Sequence, residues 1–195
     1  MRRFLLAWEF GDPGRGREQC ALARGLRDRG HSVLLAFADL STLAAEPLEG
    51  IEWVQAPRLV LPASPSAAPV DAADLLLALG FGDPPALAGV LTGWTALARL
   101  WRPDALVADH APAAMLAARL ASVPCVLVGK DALAAPSPGD VAREARLMGA
   151  VRQACERQRD KARIPTTARE LFEPDVRVPG DAPDAVERIE EAGAH

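Results

Sequence analysis

Short apolar runs alternate with amphipathic segments along most of the chain. Most of the runs lack the every-second-residue polar pattern of a half-exposed strand, so they predict strands buried on both faces, whereas residues 51–56 alternate between apolar and polar residues. These predicted strands cover residues 3–10, 31–38, 51–56, 104–109, 124–129 and 175–178.

The segments between the runs predict helices. Residues 18–30 place apolar side chains at positions 20, 22, 23 and 26 with charged residues opposite, and Gly30 ends the helix. The other predicted helices cover 39–48, 71–81, 84–103, 111–123, 139–163, 166–172 and 181–195. Residues 61–70 are rich in Pro, Ala and Ser and predict a loop.

Alternating strands and helices predict an α/β fold, a single Rossmann-like domain with a mostly parallel sheet of about five to seven strands and helices on both faces. We expect this domain to cover residues 1–180, followed at 181–195 by a short acidic helix or tail. Ligands of such sheets bind at the carboxyl ends of the strands. Any site should therefore draw on residues 9–17, 109–112 and 129–138.

Composition narrows the class of protein. The net charge is -4 and the arginines are scattered, which argues against nucleic-acid binding. Three widely spaced cysteines suggest buried or free thiols in a reducing cytoplasm. No apolar run has the length of a membrane span, and the apolar run after Arg2 and Arg3 is too short for a signal peptide. We therefore expect a cytoplasmic, bacterial protein with no metal, cofactor or membrane association.

The glycine-dense segment WEFGDPGRGREQC, residues 8–20, has several interpretations. A P-loop would need Lys and Ser or Thr where Arg17 and Glu18 stand. A dinucleotide fingerprint has the spacing G-x-G-x-x-G, which is absent, although Asp39 could serve as its acidic residue. A plain strand-to-helix turn that uses glycine for its backbone freedom remains open.

Two longer stretches carry a resemblance. They are WEFGDPGRGREQCALARGLRDRGHSV at 8–33, with LARGLRDRGHSV as its closest part, and GWTALARLWRPDALVADHAPAAMLAARLASVPCVLVG at 93–129. Both resemble the amino-terminal, acceptor-binding domain of GT-B fold glycosyltransferases that glycosylate small molecules. The resemblance covers most of residues 1–130 and weakens afterwards.

The resemblance implies a general base and its partner. In the family, a histidine of the first loop commonly deprotonates the acceptor hydroxyl, and an aspartate after strand four pairs with it. These positions fall on Arg15, just after Gly14, and on Asp109. Arginine cannot act as a base, so Arg15 and Asp109 are expected to form an ion pair.

Other residues complete the predicted binding cleft. His110 adjoins Asp109 and could replace the missing base, or it could cap the following helix or face solvent. Glu9 follows strand one and is expected to point toward the cleft. Lys130 and Asp131 place charge in the loop after strand five, where the resemblance implies an acceptor pocket.

Three functions remain open. The chain could be an acceptor-binding half that lacks the nucleotide-sugar domain and works with a separate donor-binding partner. It could be a non-catalytic descendant that binds a small hydrophobic molecule or a protein. It could also be a small enzyme of different chemistry that uses the cleft at the strand ends. Apolar surface around those ends makes a homodimer plausible.

Overall fold

The computed structural model describes residues 1–10, 13–43, 46–60, 69–129, 140–156, 164–179 and 184–194, without the side chains of residues 13–15 and 42. Its six strands form one parallel sheet in the order β3-β2-β1-β4-β5-β6. They are β1 (Arg3–Trp8), β2 (Ser32–Phe37), β3 (Glu52–Gln55), β4 (Ala105–Asp109), β5 (Cys125–Val128) and β6 (Val176–Val178). The predicted Rossmann-like fold, with a mostly parallel sheet of about five to seven strands, is confirmed.

Six α-helices cover the sheet in the described part of the chain. They are α1 (Pro13–Asp28), α2 (Ala72–Ala78), α3 (Pro84–Trp101), α4 (Pro112–Ala121), α5 (Val141–Ala154) and α6 (Ala185–Ala192). Short 3₁₀ helices occupy Leu40–Leu43 and Arg169–Phe172, where the sequence pattern predicted longer helical segments. Among the described residues, no helix has the length and apolar character needed to cross a membrane.

The alternation of side chains along β1 divides the core into two layers. Leu5 and Ala7 pack with the apolar faces of α2 to α5 on one side of the sheet. Phe4, Leu6 and Trp8 pack with α1 and α6 on the other side. Both faces of the sheet are therefore covered, which explains why β1, β2, β4 and β5 are almost entirely apolar.

Helix α1 begins earlier than the sequence pattern predicts. The predicted start was residue 18, after a glycine loop, but the observed helix begins at Pro13. Proline suits the first turn because its missing N–H would have no partner there. The glycines at 14 and 16 lower helix propensity without preventing the helix, since tertiary packing outweighs such preferences.

Helix α6 docks beside α1 through apolar and charged contacts. Ala185, Ile189 and Ala192 are buried. Arg29, just after α1, forms ion pairs with Glu187 at 2.9 Å and with Glu190 at 2.7 Å. The guanidinium of Arg29 thus neutralises two of the acidic side chains of α6.

Candidate functional site

The carboxyl ends of β1 and β4 lie level with each other and are joined by backbone hydrogen bonds. Trp8 is paired in register with Asp109. Beyond this pair, the N–H groups of Glu9 and Phe10 both donate to the carbonyl oxygen of His110, at 3.3 Å each. This turn ends β1 at Trp8, earlier than the predicted residue 10, and it brings together residues that the sequence assigns to separate loops.

Asp109 and His110 form a carboxylate–imidazole dyad. Asp109 is buried, with 2% of its surface exposed, and its Oδ1 is hydrogen-bonded to His110 Nδ1. A carboxylate only accepts hydrogen bonds, so the bond requires the proton on Nδ1 and leaves Nε2 as an acceptor. The dyad therefore has the arrangement of a general base with its orienting acid.

The backbone at His110 is unusual for its residue type. Its φ of 48° lies in the left-handed region, which residues other than glycine seldom adopt. Such strain concentrates at functional sites, where the surrounding structure holds it in place. Here the carbonyl oxygen is fixed by Glu9 and Phe10, and the imidazole meets the Phe10 ring edge-on at a centroid distance of 5.3 Å.

A cavity of about 280 Å³ opens beside this dyad, at the carboxyl edge of the sheet. Six of its lining residues are apolar and two are ionisable. The lining consists of Glu9, Phe10, Arg58, Leu59, Val60, Leu79, Phe81 and Pro112. Because Phe10 both lines the cavity and contacts His110, the dyad lies next to the space that a small molecule would fill.

Glu9 is the acidic group of the cavity lining. Its two carboxyl oxygens accept hydrogen bonds from the N–H groups of Ala113, at 3.1 Å, and Ala114, at 2.8 Å, in the first turn of α4. Burial raises the pKa of Glu9 to about 8, against the lowering effect of these two bonds and of Trp94. Glu9 is therefore mostly protonated at neutral pH.

Trp94, in α3, is buried under the same site. Its Nε1 has no partner of good hydrogen-bond geometry in the described part of the chain. The indole nevertheless lies close enough to the Glu9 carboxyl group to lower its pKa. The two well-formed hydrogen bonds to Glu9 therefore both come from N–H groups of α4.

Several predicted site residues stay untested. Gly14 and Arg15 lie in the first turn of α1, but their side chains are outside the described residues, so the Arg15–Asp109 ion pair remains a prediction. Lys130 and Asp131 fall outside the described residues altogether. The observed partner of Asp109 is His110, which the sequence offered as the substitute base.

Part of the site was missed by the sequence interpretation. Arg58 and Leu59 follow the edge strand β3, and Phe81 follows α2, so no motif connects them with the strand ends. The amides of Ala113 and Ala114 could have been found, because Pro112 is well suited to the first position of a helix whose free N–H groups follow strand four.

No protein-family model and no curated protein sequence matches this chain. Solved structures do match it. The spinosyn rhamnosyltransferase SpnG has 19% identity and a TM-score of 0.53, over 95% of this chain and 48% of that one. VinC in complex with dTDP has 17% identity and a TM-score of 0.52, over 92% and 49%. SsfS6 from Streptomyces sp. SF2575, complexed with thymidine diphosphate, has 16% identity and a TM-score of 0.50, over 91% and 48%.

The sheet order defines a Rossmann-like α/β domain, and its cavity lies at the carboxyl edge of the sheet. The chain spans about half the length of the glycosyltransferases that it matches. It has the fold of one half of a GT-B glycosyltransferase, as the sequence resemblance predicted. At these identities the likeness establishes the fold, and the function rests on the site.

Proposed function

We propose that this chain is the acceptor-binding half of a GT-B type glycosyltransferase and acts together with a donor-binding half. The cavity at the carboxyl edge of the sheet carries the proposal, because it offers a largely apolar space next to a carboxylate–imidazole dyad. One structure of SpnG is complexed with spinosyn aglycone and another with thymidine diphosphate. A two-substrate reaction of this kind would use this chain for the acceptor.

In the proposed reaction, His110 removes the proton from an acceptor hydroxyl. Its Nε2 accepts the proton, while Asp109 holds the ring and stabilises the imidazolium cation that forms. The hydroxyl oxygen then bonds to the sugar carbon as the bond to the nucleoside diphosphate breaks. His110 would thereby supply the base that the sequence resemblance places at Arg15, where an arginine cannot act as one.

The fixed position of the imidazole supports this assignment. The His110 side chain is 18% exposed, so it is shielded on most sides but still open to a ligand. Its backbone is held by two N–H donors from the end of β1, and its ring is held by Asp109 and Phe10. A catalytic base held by several contacts loses little conformational entropy when the substrate binds.

The test combines the purified chain with a separately expressed carboxyl-terminal half of SpnG, a thymidine diphosphate sugar and a panel of hydroxylated aglycones that includes spinosyn aglycone. Product is measured by mass spectrometry. We expect transfer only when both halves are present. His110→Gln should lower the transfer rate about 100-fold or more, since general-base catalysis contributes at least that factor. Aglycone binding by the variant should stay within about twofold of wild type.

Two outcomes would contradict the proposal. Equal transfer by wild type and by the His110→Gln variant would remove the dyad from the mechanism. Binding of aglycones without transfer across the whole panel would instead favour a non-catalytic protein that binds small hydrophobic molecules. Asp109→Asn provides a second check, because it keeps the shape of the side chain but removes the acceptor charge that orients the ring.

A further inference from the structure

Helix α4 begins without a capping side chain of its own. Its N-cap is Ala111, which makes no side-chain hydrogen bond to the first turn. The N–H groups at the start of a helix need an acceptor, because they have no partner within the helix. Glu9, directly after β1, supplies one: its carboxyl oxygens accept from Ala113 at 3.1 Å and from Ala114 at 2.8 Å. A residue more than 100 positions away in the sequence therefore caps this helix.

Glu9 also contacts the turn that precedes α4. Its backbone N–H donates to the carbonyl oxygen of His110 at 3.3 Å, while its side chain accepts the two bonds from the helix. Glu9 is thus hydrogen-bonded to the chain on both sides of Ala111. These bonds do not depend on the charge of Glu9, since the oxygens of a carboxyl group can accept hydrogen bonds in either protonation state.

The segment that Glu9 holds includes the strained residue of the site. His110 has a left-handed φ of 48°, and such a conformation persists only where the surrounding contacts impose it. Ala113 and Ala114 are at most 2% exposed, so loss of the Glu9 oxygens would deprive two buried N–H groups of their acceptor. We expect the start of α4 to shift in response, and the backbone of His110 to relax with it.

We infer that Glu9 is a positioning residue for the base His110. Its carboxyl group fixes the start of α4 and thereby holds the left-handed turn in which the imidazole is hydrogen-bonded to Asp109. This role of Glu9 rests on the proposed function, in which the imidazole takes a proton from the acceptor. A substitution at position 9 should therefore weaken the dyad, although Glu9 makes no hydrogen bond to either of its side chains among the described contacts.

The tautomer of His110 reports the state of the dyad in the isolated chain. In wild type, the bond to Asp109 places the imidazole proton on Nδ1. Two-dimensional NMR spectra that correlate the ring nitrogens with the ring protons distinguish this form from the form with the proton on Nε2. They are recorded at a pH at which the ring of the wild-type protein is neutral. The His110→Gln variant identifies the His110 signals among those of the three histidines.

Variants at position 9 should follow the number of acceptor oxygens that they keep. Glu9→Leu keeps none, so about half or more of the Nδ1–H form of His110 should be lost. Glu9→Gln keeps one oxygen and should lie between Glu9→Leu and wild type. Asp140→Ala is the matched control, because Asp140 caps α5 by accepting from Ala142 at 2.9 Å and from Arg143 at 3.3 Å. This control removes a helix cap and should keep the wild-type tautomer.

Transfer kinetics with the separately expressed donor-binding half of SpnG show how the position of His110 affects the reaction. Glu9→Leu should lower kcat about tenfold or more, since a small displacement of a catalytic group has at least that effect. The KM for the aglycone should change less than kcat, because leucine keeps an apolar side chain of similar size in the cavity wall. Glu9→Gln should recover part of the lost rate, and Asp140→Ala should stay within about twofold of wild type.

This role of Glu9 is overturned if folded Glu9→Leu keeps the wild-type tautomer of His110, or if Asp140→Ala changes the tautomer as much as Glu9→Leu does. If Glu9→Leu does not fold, Glu9→Gln decides in its place, and an unchanged tautomer there overturns the role. The tautomer measurement needs no donor-binding half. A changed tautomer in Glu9→Leu, together with no transfer by wild type, would contradict the proposed function alone. Transfer by Glu9→Leu at the wild-type rate would contradict only the role of Glu9.

Discussion

Replacing Glu9 with glutamine should change how the stability of the protein depends on pH. In wild type, burial raises the pKa of Glu9 from 4.5 to about 8. The folded chain therefore keeps a proton that the unfolded chain releases as the pH rises above 4.5. Because the folded state then binds more protons, the free energy of unfolding falls as the pH rises between these two values and levels off above about 8.

The size of this effect follows from the width of the pH window. Each pH unit inside it lowers the free energy of unfolding by at most about 1.4 kcal/mol. Because the surface of Glu9 is only partly buried, we expect less than this maximum slope: the free energy of unfolding should fall by about 2 kcal/mol between pH 5 and pH 7. Glu9→Gln should lack this slope, and at pH 5 it should be less stable than wild type by about 1 kcal/mol, because its amide can accept from only one of the two N–H groups.

Urea unfolding at several pH values between 5 and 9.5, followed by tryptophan fluorescence, measures both curves. The quantity of interest is the difference between wild type and the Glu9→Gln variant, in which the contributions of other titrating groups cancel. Glu52→Gln, at an exposed position on β3, is the control for removal of a carboxyl group and should run parallel to wild type. Parallel curves for wild type and Glu9→Gln would refute the burial argument for Glu9.

Two further predictions concern the core. Ile189→Ala should lower the free energy of unfolding by about 2 to 4 kcal/mol in chemical denaturation, because it empties a fully buried site between α6 and the sheet. The control Val141→Ala, at a position 83% exposed, should change the free energy of unfolding by less than about 0.5 kcal/mol. Equal effects of the two substitutions would show that α6 is not docked as described. The three cysteines are buried and have raised thiol pKa values; they are Cys20, Cys125 and Cys155. Ellman's reagent should therefore label none of them in the native protein at pH 8 and all three in denaturant. Rapid labelling of the native protein would contradict their burial.

The sequence predicted the sheet well because β1, β2, β4 and β5 are almost entirely apolar runs between polar turns, and because the edge strand β3 alternates between polar and apolar residues. All six predicted strands are present, and their parallel order follows from the helices that connect them. The start of α1 was not predictable from local preference. Pro13 and the glycines that follow favour a turn in isolation, and only packing against the sheet makes the helix stable.

The candidate site was predicted in part. Glu9, Asp109 and His110 could be placed at the carboxyl edge because each follows or ends a strand. Their mutual contacts could not, since the left-handed backbone of His110 depends on hydrogen bonds from a distant strand. Arg58 and Phe81 reach the cavity only through the tertiary fold, and no sequence spacing connects them with Glu9.

The most direct test of the acceptor-binding account is to locate bound aglycone on the chain itself. Titration of ¹⁵N-labelled protein with the hydroxylated aglycone panel should shift the amide signals of Phe10, Leu59, Phe81, Ala113 and Ala114 together, at one common dissociation constant for each ligand. Shifts confined instead to the hollow between α3 and α5, lined by Ala88, Thr92 and Gln153, or no shifts with any aglycone, would contradict the account.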